Sequence, residues 1–130
     1  MCTFALRLHD SLPDKKKKIR KLYINGECYF DEFEKHVLKV HRKEYERIFS
    51  YISHYADGML LPKTKMRVID AKKIKFQLWE FKCKELRVYT FDDTNLNYRI
   101  IVNAGYKKSQ PADIERLKRT VKKYINIKYE

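Results

Sequence analysis

Three consecutive segments in the second half of the chain alternate apolar and polar side chains, and the turns between them are too short to hold a helix. The segments are Gln77 to Cys83, Leu86 to Phe91 and Tyr98 to Ala104. Alternation with a period of two is typical of half-buried strands. Parallel neighbours need long crossover connections, so these three strands are predicted to form an antiparallel meander.

The first half of the chain predicts a short strand or hairpin followed by two helices. Ile19 to Ile24 and Glu27 to Phe30 are rich in isoleucine and tyrosine, and Asn25-Gly26 between them suits a two-residue turn. Asp31 and Glu34 have the spacing of a capping box that opens a helix. A second helix ending near Gly58 is predicted from apolar residues three or four positions apart, namely Tyr45, Ile48, Phe49, Ile52 and Tyr55.

A last helix is predicted after Ser109-Gln110-Pro111, because a polar cap and a proline in the first turn favour a helix start. Residues 1–18 are interpreted as an irregular basic leader and residues 19–130 as a single domain. The expected fold is α+β: an N-terminal strand or hairpin, two helices, an antiparallel sheet of three to four strands, and a C-terminal helix.

The charge of the chain favours a polyanionic partner. The formal net charge is +13, of which residues 1–59 carry +3 and residues 60–130 carry +10. Such an excess concentrates polyanions, which makes nucleic acid the leading partner class. A lysine-rich surface that serves solubility alone, a membrane surface and an acidic protein remain alternatives.

Several classes of protein are disfavoured by what the sequence lacks. The longest segment without a charged side chain, Ile48 to Ala56, has nine residues, whereas a membrane span needs about 20. No signal peptide is recognisable, and three scattered cysteines fit free thiols in a reducing compartment. The four histidines show no metal-ligand spacing. We expect a cytoplasmic protein without a metal or another cofactor.

The polar positions of the meander carry an unusual group of cations. Lys82, Lys84 and Arg87 are predicted to share one face, and Lys107 and Lys108 follow the end of the third strand. Like charges on neighbouring strands repel, so this crowding favours an anionic ligand such as a phosphodiester. Cleavage of RNA by its own 2′-hydroxyl needs a base, cations that stabilise the phosphoryl oxygens and an acid, and clustered lysines can serve in several of these roles.

The segments LWEFKCKELRVYTF (residues 78–91) and IIVNAGYKKSQPADIERLKRTVKKYI (residues 100–125) resemble the RelE/ParE toxin superfamily, in particular its HigB-like, phage-derived branch. That branch typically reads Leu-Trp-Glu-Leu-Arg, then Tyr-Arg-Val, then Gly-Phe-x-Lys-Lys-Thr-Gln before the last helix. The matching segments here are Leu78 to Lys82, Leu86 to Val88 and Gly105 to Gln110.

The resemblance implies a ribosome-dependent mRNA endonuclease, the toxin of a toxin-antitoxin pair, with a cleft between the sheet and the last helix. Arg87 takes the place of the family's phosphate-stabilising strand arginine. The family's tyrosine in the final segment has no match after Lys108, so Tyr106 or Tyr89 would have to stack on the scissile base. The candidate catalytic residues are Arg87, Lys82, Lys84, Lys107, Lys108 and Tyr106, and the candidate RNA-binding residues are Lys72, Lys73, Lys75, Tyr89 and Arg99.

The implied partners are mRNA on the ribosome and a cognate antitoxin, expected to be a DNA-binding dimer that forms a hetero-oligomer with this chain. No metal, other cofactor or membrane is expected. Two alternatives remain open on the same fold, because fold alone does not fix function. One is a ParE-like inhibitor of DNA gyrase, and the other is a non-catalytic regulator that binds RNA through charge.

Overall fold

The protein is described by a computed structural model that covers residues 2–130. Its strands in this range are β1 (Phe4–Arg7), β2 (Ile19–Ile24), β3 (Met66–Ile69), β4 (Leu78–Cys83), β5 (Leu86–Asp93) and β6 (Tyr98–Tyr106). The helices are α1 (Tyr29–Val40), α2 (Arg42–Ala56) and α3 (Gln110–Tyr129), and Lys107–Ser109 form a short 3-10 helix. The predicted α+β class is confirmed.

The six strands form one mixed sheet in the order β1-β2-β6-β5-β4-β3. The antiparallel meander β4-β5-β6 is confirmed. The expected size of three to four antiparallel strands is wrong, because β1 and β3 extend the sheet at its two edges and β2 runs parallel to β6. The long connection through α1 and α2 makes that parallel pairing sterically accessible.

Helices cover both faces of the sheet. On one face α2 packs against odd-numbered residues of β4, such as Phe81 and Cys83, and α1 packs against β6. On the other face α3 packs against β5 and β6 through Leu117, Val121 and Tyr124. The helices predicted around Tyr45 to Tyr55 and after Pro111 are confirmed, and the apolar stripes that predicted them lie in these two cores.

The first hairpin is reduced to a turn. Asn25 and Gly26 both have positive φ, and a single bridge joins Ile24 to Glu27. The predicted second arm, Glu27 to Phe30, is wrong, because α1 already begins at Tyr29. β2 instead pairs with β1 on one side and β6 on the other.

The predicted capping box does not form. Asp31 accepts hydrogen bonds from Lys21 and Tyr23, and Glu34 accepts hydrogen bonds from His9 and Tyr45. Both carboxylates therefore bridge α1 to neighbouring segments rather than closing its first turn. The tertiary partners, which the local sequence does not reveal, decide their orientation.

Two segments interpreted as irregular contain strands. Phe4–Arg7 of the predicted leader form β1, and Met66–Ile69, between the second predicted helix and the meander, form β3. Each has four residues, which is too short for an alternating pattern to stand out. No helix within residues 2–130 combines the length and the apolar character needed to cross a bilayer.

Candidate nucleic-acid interface

Lys82 and Arg87 lie side by side on the sheet. The register of β4 and β5 places them directly opposite each other, next to the turn that joins these strands. On its other side Arg87 is paired with Gly105 of β6, and the side chains of Ser109 and Asp113 occupy the space above that glycine. The sheet therefore brings two of the predicted cations together, on the face where α3 packs.

The guanidinium of Arg87 is held in place by the backbone. Its Nη1 donates hydrogen bonds to the carbonyl oxygens of Lys84 (2.7 Å) and Leu86 (2.8 Å). Its Nε is buried and has no hydrogen-bond partner among the described residues. Only 7% of Arg87 is exposed, so this side chain is a fixed positive group rather than a mobile surface cation.

Three further lysines surround the same end of the sheet. Lys84 lies in the β4–β5 turn with a φ of 52°, so the prediction that it shares the strand face with Lys82 is wrong. The backbone N–H of Lys107 donates to the carbonyl of Glu85 in that turn, at 2.7 Å. This bond places the 3-10 helix and its two exposed lysines beside the turn. We call Lys82, Lys84, Arg87, Lys107 and Lys108 the basic cluster.

The basic cluster is free of ion pairs in the part of the chain that the structure describes. None of its five members approaches a carboxylate within 4.0 Å. Its members Lys84, Lys107 and Lys108 are exposed. The arrangement leaves positive charge available for an anion, which is the electrostatic property that a phosphate-binding site needs.

The alternating pattern of β4 predicts that Glu80 shares the open polar face with Lys82, but Glu80 lies on a covered part of that face. Its carboxylate is completely buried and accepts hydrogen bonds from Arg67 Nε and Gln110 Nε2, both at 2.8 Å. Gln110 belongs to α3, which covers this part of the sheet. The alternating pattern showed which side Glu80 faces, but not that a helix from 30 residues later would close over it.

Behind the basic cluster is a buried polar layer between the sheet and α3. Tyr89 pairs with Asn103, and Thr90 pairs with Ile101, so Val102 is the extra residue of a β-bulge. Tyr89 Oη and Asn103 Oδ1 are buried without a hydrogen-bond partner within residues 2–130. Burial raises the pKa of the Tyr89 hydroxyl far above its usual value, and the nearby carboxylates raise it further. The hydroxyl stays protonated, and the buried ring offers no face to a base.

Tyr106 lies on the opposite face of the sheet from Arg87. It pairs with Leu86, next to the position where Gly105 pairs with Arg87. Its ring packs against α1 and the start of α2, with centroid distances of 5.6 Å to Phe33 and 5.5 Å to His41. The sheet does not bring Tyr106 into the basic cluster.

No protein-family model, no curated protein and no solved structure matches this chain. The basic cluster must therefore be interpreted from its own chemistry.

Arg99, a predicted RNA-binding residue, is enclosed inside the fold. Arg99 is 3% exposed, and its Nε donates to Asp92 at 2.5 Å. The guanidinium lies over the rings of Tyr55 (4.2 Å) and Trp79 (5.1 Å), against α2. Inside the fold, one carboxylate neutralises its positive charge and two aromatic ring faces cover it.

Lys72, Lys73 and Lys75 are exposed in the β3–β4 connection, as an RNA-binding role requires, but they lie apart from the basic cluster. Lys75 Nζ lies 5.4 Å from the ring centroid of Tyr129, near the C-terminus of α3. The basic cluster adjoins the N-terminus of the same helix, which has 20 residues and thus spans about 30 Å. These lysines form a second, distant basic surface.

The interface includes residues that sequence analysis missed. Arg67 and Gln110 fix the buried Glu80, and Asp113 of α3 accepts a hydrogen bond from Ser109 Oγ at 2.7 Å. No periodic pattern marks Arg67, because β3 has four residues. Within residues 2–130, no group of three or more His, Cys, Asp or Glu side chains is arranged to hold a metal ion.

Proposed function

We propose that this chain is an endoribonuclease that cleaves mRNA on the ribosome, the toxin of a toxin-antitoxin pair with a RelE-like, HigB-like fold. The observation that carries the proposal is the pairing of Lys82 with Arg87 across β4 and β5, with the other three cations of the cluster around the same turn. None of the five is neutralised by a carboxylate within residues 2–130.

The proposed reaction is attack by the 2′-hydroxyl oxygen of RNA on the adjacent phosphorus. The new bond joins the 2′-oxygen to phosphorus, and the bond to the 5′-oxygen of the next nucleotide breaks. The products are a 2′,3′-cyclic phosphate and a free 5′-hydroxyl, with one proton removed from the attacking oxygen and one given to the leaving oxygen. Charge grows on the phosphoryl oxygens during this step, and preorganised cations stabilise it.

The members of the cluster suit different parts of this reaction. Arg87 is preorganised, since two backbone carbonyls fix its guanidinium, and its Nε has no acceptor within residues 2–130. Lys82 is its half-buried neighbour and the best-placed amine for proton transfer. Lys84, Lys107 and Lys108 are exposed and reach outward to the flanking phosphates. Such contacts supply affinity that does not depend on base sequence.

A non-catalytic RNA-binding regulator is the second candidate, and two observations favour it. Arg87 is 7% exposed, so access to a phosphate requires the surrounding chain to open. Neither Tyr89 nor Tyr106 presents a ring to the cluster, which leaves the scissile base without the expected stacking partner. This candidate predicts that the chain binds RNA as tightly as the proposed endonuclease would but does not cleave it.

The proposed silencing partner is an antitoxin with acidic and apolar residues, which a chain of net charge +13 attracts electrostatically. We propose that this antitoxin is a DNA-binding dimer and that the two chains form a hetero-oligomer. Co-expression with the product of the adjacent reading frame tests the idea. Failure of that product to bind and neutralise this chain removes the antitoxin from the proposal.

The deciding experiment incubates the purified chain with translating ribosomes and maps the 5′ ends of the message. We expect cuts within the translated region that carry 5′-hydroxyl ends. The double variant Lys107→Ala, Lys108→Ala should reduce the cleavage rate at least about tenfold, because two phosphate contacts are lost. The variant Lys35→Ala, Lys43→Ala removes the same charge from exposed sites on the helices of the opposite face and should cut normally.

Arg87→Lys tests the buried group, provided that its thermal melting transition remains cooperative. Cleavage by this variant at the wild-type rate would contradict a bidentate role for Arg87. Intact message with the wild-type chain contradicts the endonuclease. Intact message with retained RNA binding selects the non-catalytic regulator, and DNA breaks with intact message select a gyrase inhibitor.

A further inference from the structure

β3 is the last strand of the sheet, and its outer edge is open within the described part of the chain. It pairs with β4 on one side and has no strand on the other. An open edge presents backbone N–H and C=O groups that can pair with another extended chain.

The hydrogen-bond register shows which backbone groups of β3 point outward. The N–H of Lys82 donates to the carbonyl of Lys65 at 2.8 Å. In an antiparallel pair hydrogen-bonded positions alternate, so Lys65 and Arg67 direct their backbone groups to β4, and Val68 directs both of its groups outward. Met66 also points outward, but its N–H already donates to the carbonyl of Pro62. Val68 is the central free position.

An apolar groove of about 830 Å³ runs beside this edge. The side chains of Met66 and Val68 face it, and Trp79 and Tyr55 form part of its floor. The segment after α2 supplies its rim, where Leu60 is 98% exposed and Met59 is 51% exposed. A leucine this exposed beside an open strand edge is a feature of interaction surfaces rather than of a closed fold.

The charge around the groove is positive. Lys17 and Lys63 line it, whereas the guanidinium of Arg67, which also borders the groove, is already bound to the buried Glu80. Of the described residues, Asp92 is its one acidic lining residue, and this carboxylate is already bound by Arg99 and by Trp79 Nε1. The groove therefore complements a ligand that is both apolar and negatively charged.

We infer that β3 binds an extended segment of a partner protein in which apolar residues alternate with acidic ones. The segment adds a seventh strand to the sheet by pairing with the free backbone groups of Val68 and the carbonyl of Met66. Its apolar side chains enter the groove above Trp79, and its acidic side chains lie beside the cations of the rim. This inference does not rest on RNA cleavage and uses no residue of the basic cluster.

A second copy of this chain is a poor occupant. Pairing β3 with β3 of another copy brings two sets of the same cations together, and like charges on adjacent strands destabilise a sheet. A separate acidic partner relieves that repulsion. The choice between the two is open to experiment, because a dimer changes the mass of the free protein and a partner segment does not.

The single tryptophan of the chain, Trp79, lies in the groove and serves as the reporter. The probe is a synthetic peptide of seven residues in which glutamates alternate with valine and leucine. We expect its addition to shift the Trp79 fluorescence saturably and to protect the Val68 amide from hydrogen exchange. A peptide with lysines in place of the glutamates should give no such change.

Variants of the protein test strand addition directly. Val68→Pro removes an outward N–H without touching the ladder to β4, and it should weaken peptide binding about fivefold, the value of one backbone hydrogen bond. Leu60→Glu should weaken it about tenfold or more by placing a negative charge at the rim. Val40→Glu is the matched control at an exposed apolar site on α1 and should bind the peptide normally.

Three outcomes would overturn the inference. The first is equal binding of a scrambled peptide with the same composition, which would indicate charge attraction alone. The second is no saturable change in Trp79 fluorescence up to millimolar peptide. The third is a dimer of the free protein in which the Val68 amide is already protected, since the edge would then belong to a second copy.

Discussion

The hydroxyl of Tyr124 donates a hydrogen bond to Asp93 Oδ2 at 2.6 Å, which ties α3 to the end of β5. Asp93 is completely buried and also accepts hydrogen bonds from the hydroxyl of Tyr129 and from the backbone N–H groups of Asn95 and Leu96. One carboxylate thus fixes both the β5–β6 turn and the last helix. Because α3 also covers the buried Glu80, the basic cluster depends on this distant anchor.

Tyr124→Phe should lower the free energy of unfolding by about 2 kcal/mol, the value of a buried hydrogen bond to a charged acceptor. Urea denaturation measures the change. Tyr106→Phe is the matched control, since the Tyr106 hydroxyl makes no hydrogen bond in the described residues, and its effect should stay within about 0.5 kcal/mol. Equal losses in the two variants would show that Asp93 does not anchor α3.

Gly105→Ala should destabilise the fold by about 1–3 kcal/mol, because the new Cβ would overlap the Asp113 carboxylate and approach Ser109 Oγ to 3.2 Å. Asp113 would have to move away from Ser109, and the start of α3 would shift with it. The double variant Gly105→Ala, Asp113→Ala should lose less stability than the sum of the two single variants. Strict additivity would contradict a direct clash.

The variant Glu34→Gln should lose less stability than the wild type when the pH is lowered into the acidic range. Burial alone would raise the pKa of the Glu34 carboxyl, but hydrogen bonds from His9 and Tyr45 outweigh it and hold that pKa below 4.5. A lowered folded-state pKa contributes stability that is present above pH 4.5 and is lost as the pH falls through the folded-state value. The stability difference between wild type and Glu34→Gln should therefore shrink below pH 4.5.

Thermal or urea unfolding at a series of pH values measures this difference. Glu46→Gln is the control, because Glu46 is exposed on α2 and makes no ion pair in the described residues. Its curve should run parallel to that of the wild type. A parallel curve for Glu34→Gln as well would mean that the carboxylate gains nothing from His9 and Tyr45.

Binding of single-stranded RNA should weaken steeply with salt. Each phosphate contact that is lost reduces the slope of log K against log salt by about 0.7 for single strands. The double variant Lys107→Ala, Lys108→Ala should therefore lower the magnitude of this slope by about 1.4. The control double variant Lys35→Ala, Lys43→Ala should leave the slope unchanged. Fluorescence anisotropy with a labelled oligonucleotide measures the salt slope of each double variant. Equal reductions of the slope in both would show that RNA does not bind specifically at the basic cluster.

The sequence revealed those elements whose patterns are long enough to repeat. The stripe of α2 and the alternation of β4 each span several residues and were predicted correctly. The four residues of β1 and of β3 give no such repeat, so both edges of the sheet were missed. Asn25-Gly26 did form its turn, but the arm after it became helix because residues from Tyr29 onward pack as α1.

The positions of candidate site residues could be predicted from the sequence where strand register alone determines them. The short β4–β5 turn fixes the position of Lys82 opposite Arg87, and parity along each strand places them on one face. Neither the covering of Glu80 by α3 nor the enclosure of Arg99 between Tyr55 and Trp79 follows from local pattern. Those positions depend on contacts between residues far apart in the chain, which periodicity does not encode.

The parallel pairing of β2 with β6 has a consequence for how the chain reaches its native state during synthesis. Ile19 pairs with Arg99, 80 residues later, so β2 must wait for β6 to leave the exit tunnel before it finds its neighbour. Closing so large a loop is slow compared with forming α1 or α2. An activity that needs the finished sheet would therefore be withheld from the nascent chain until β6 has been synthesised and released from the ribosome.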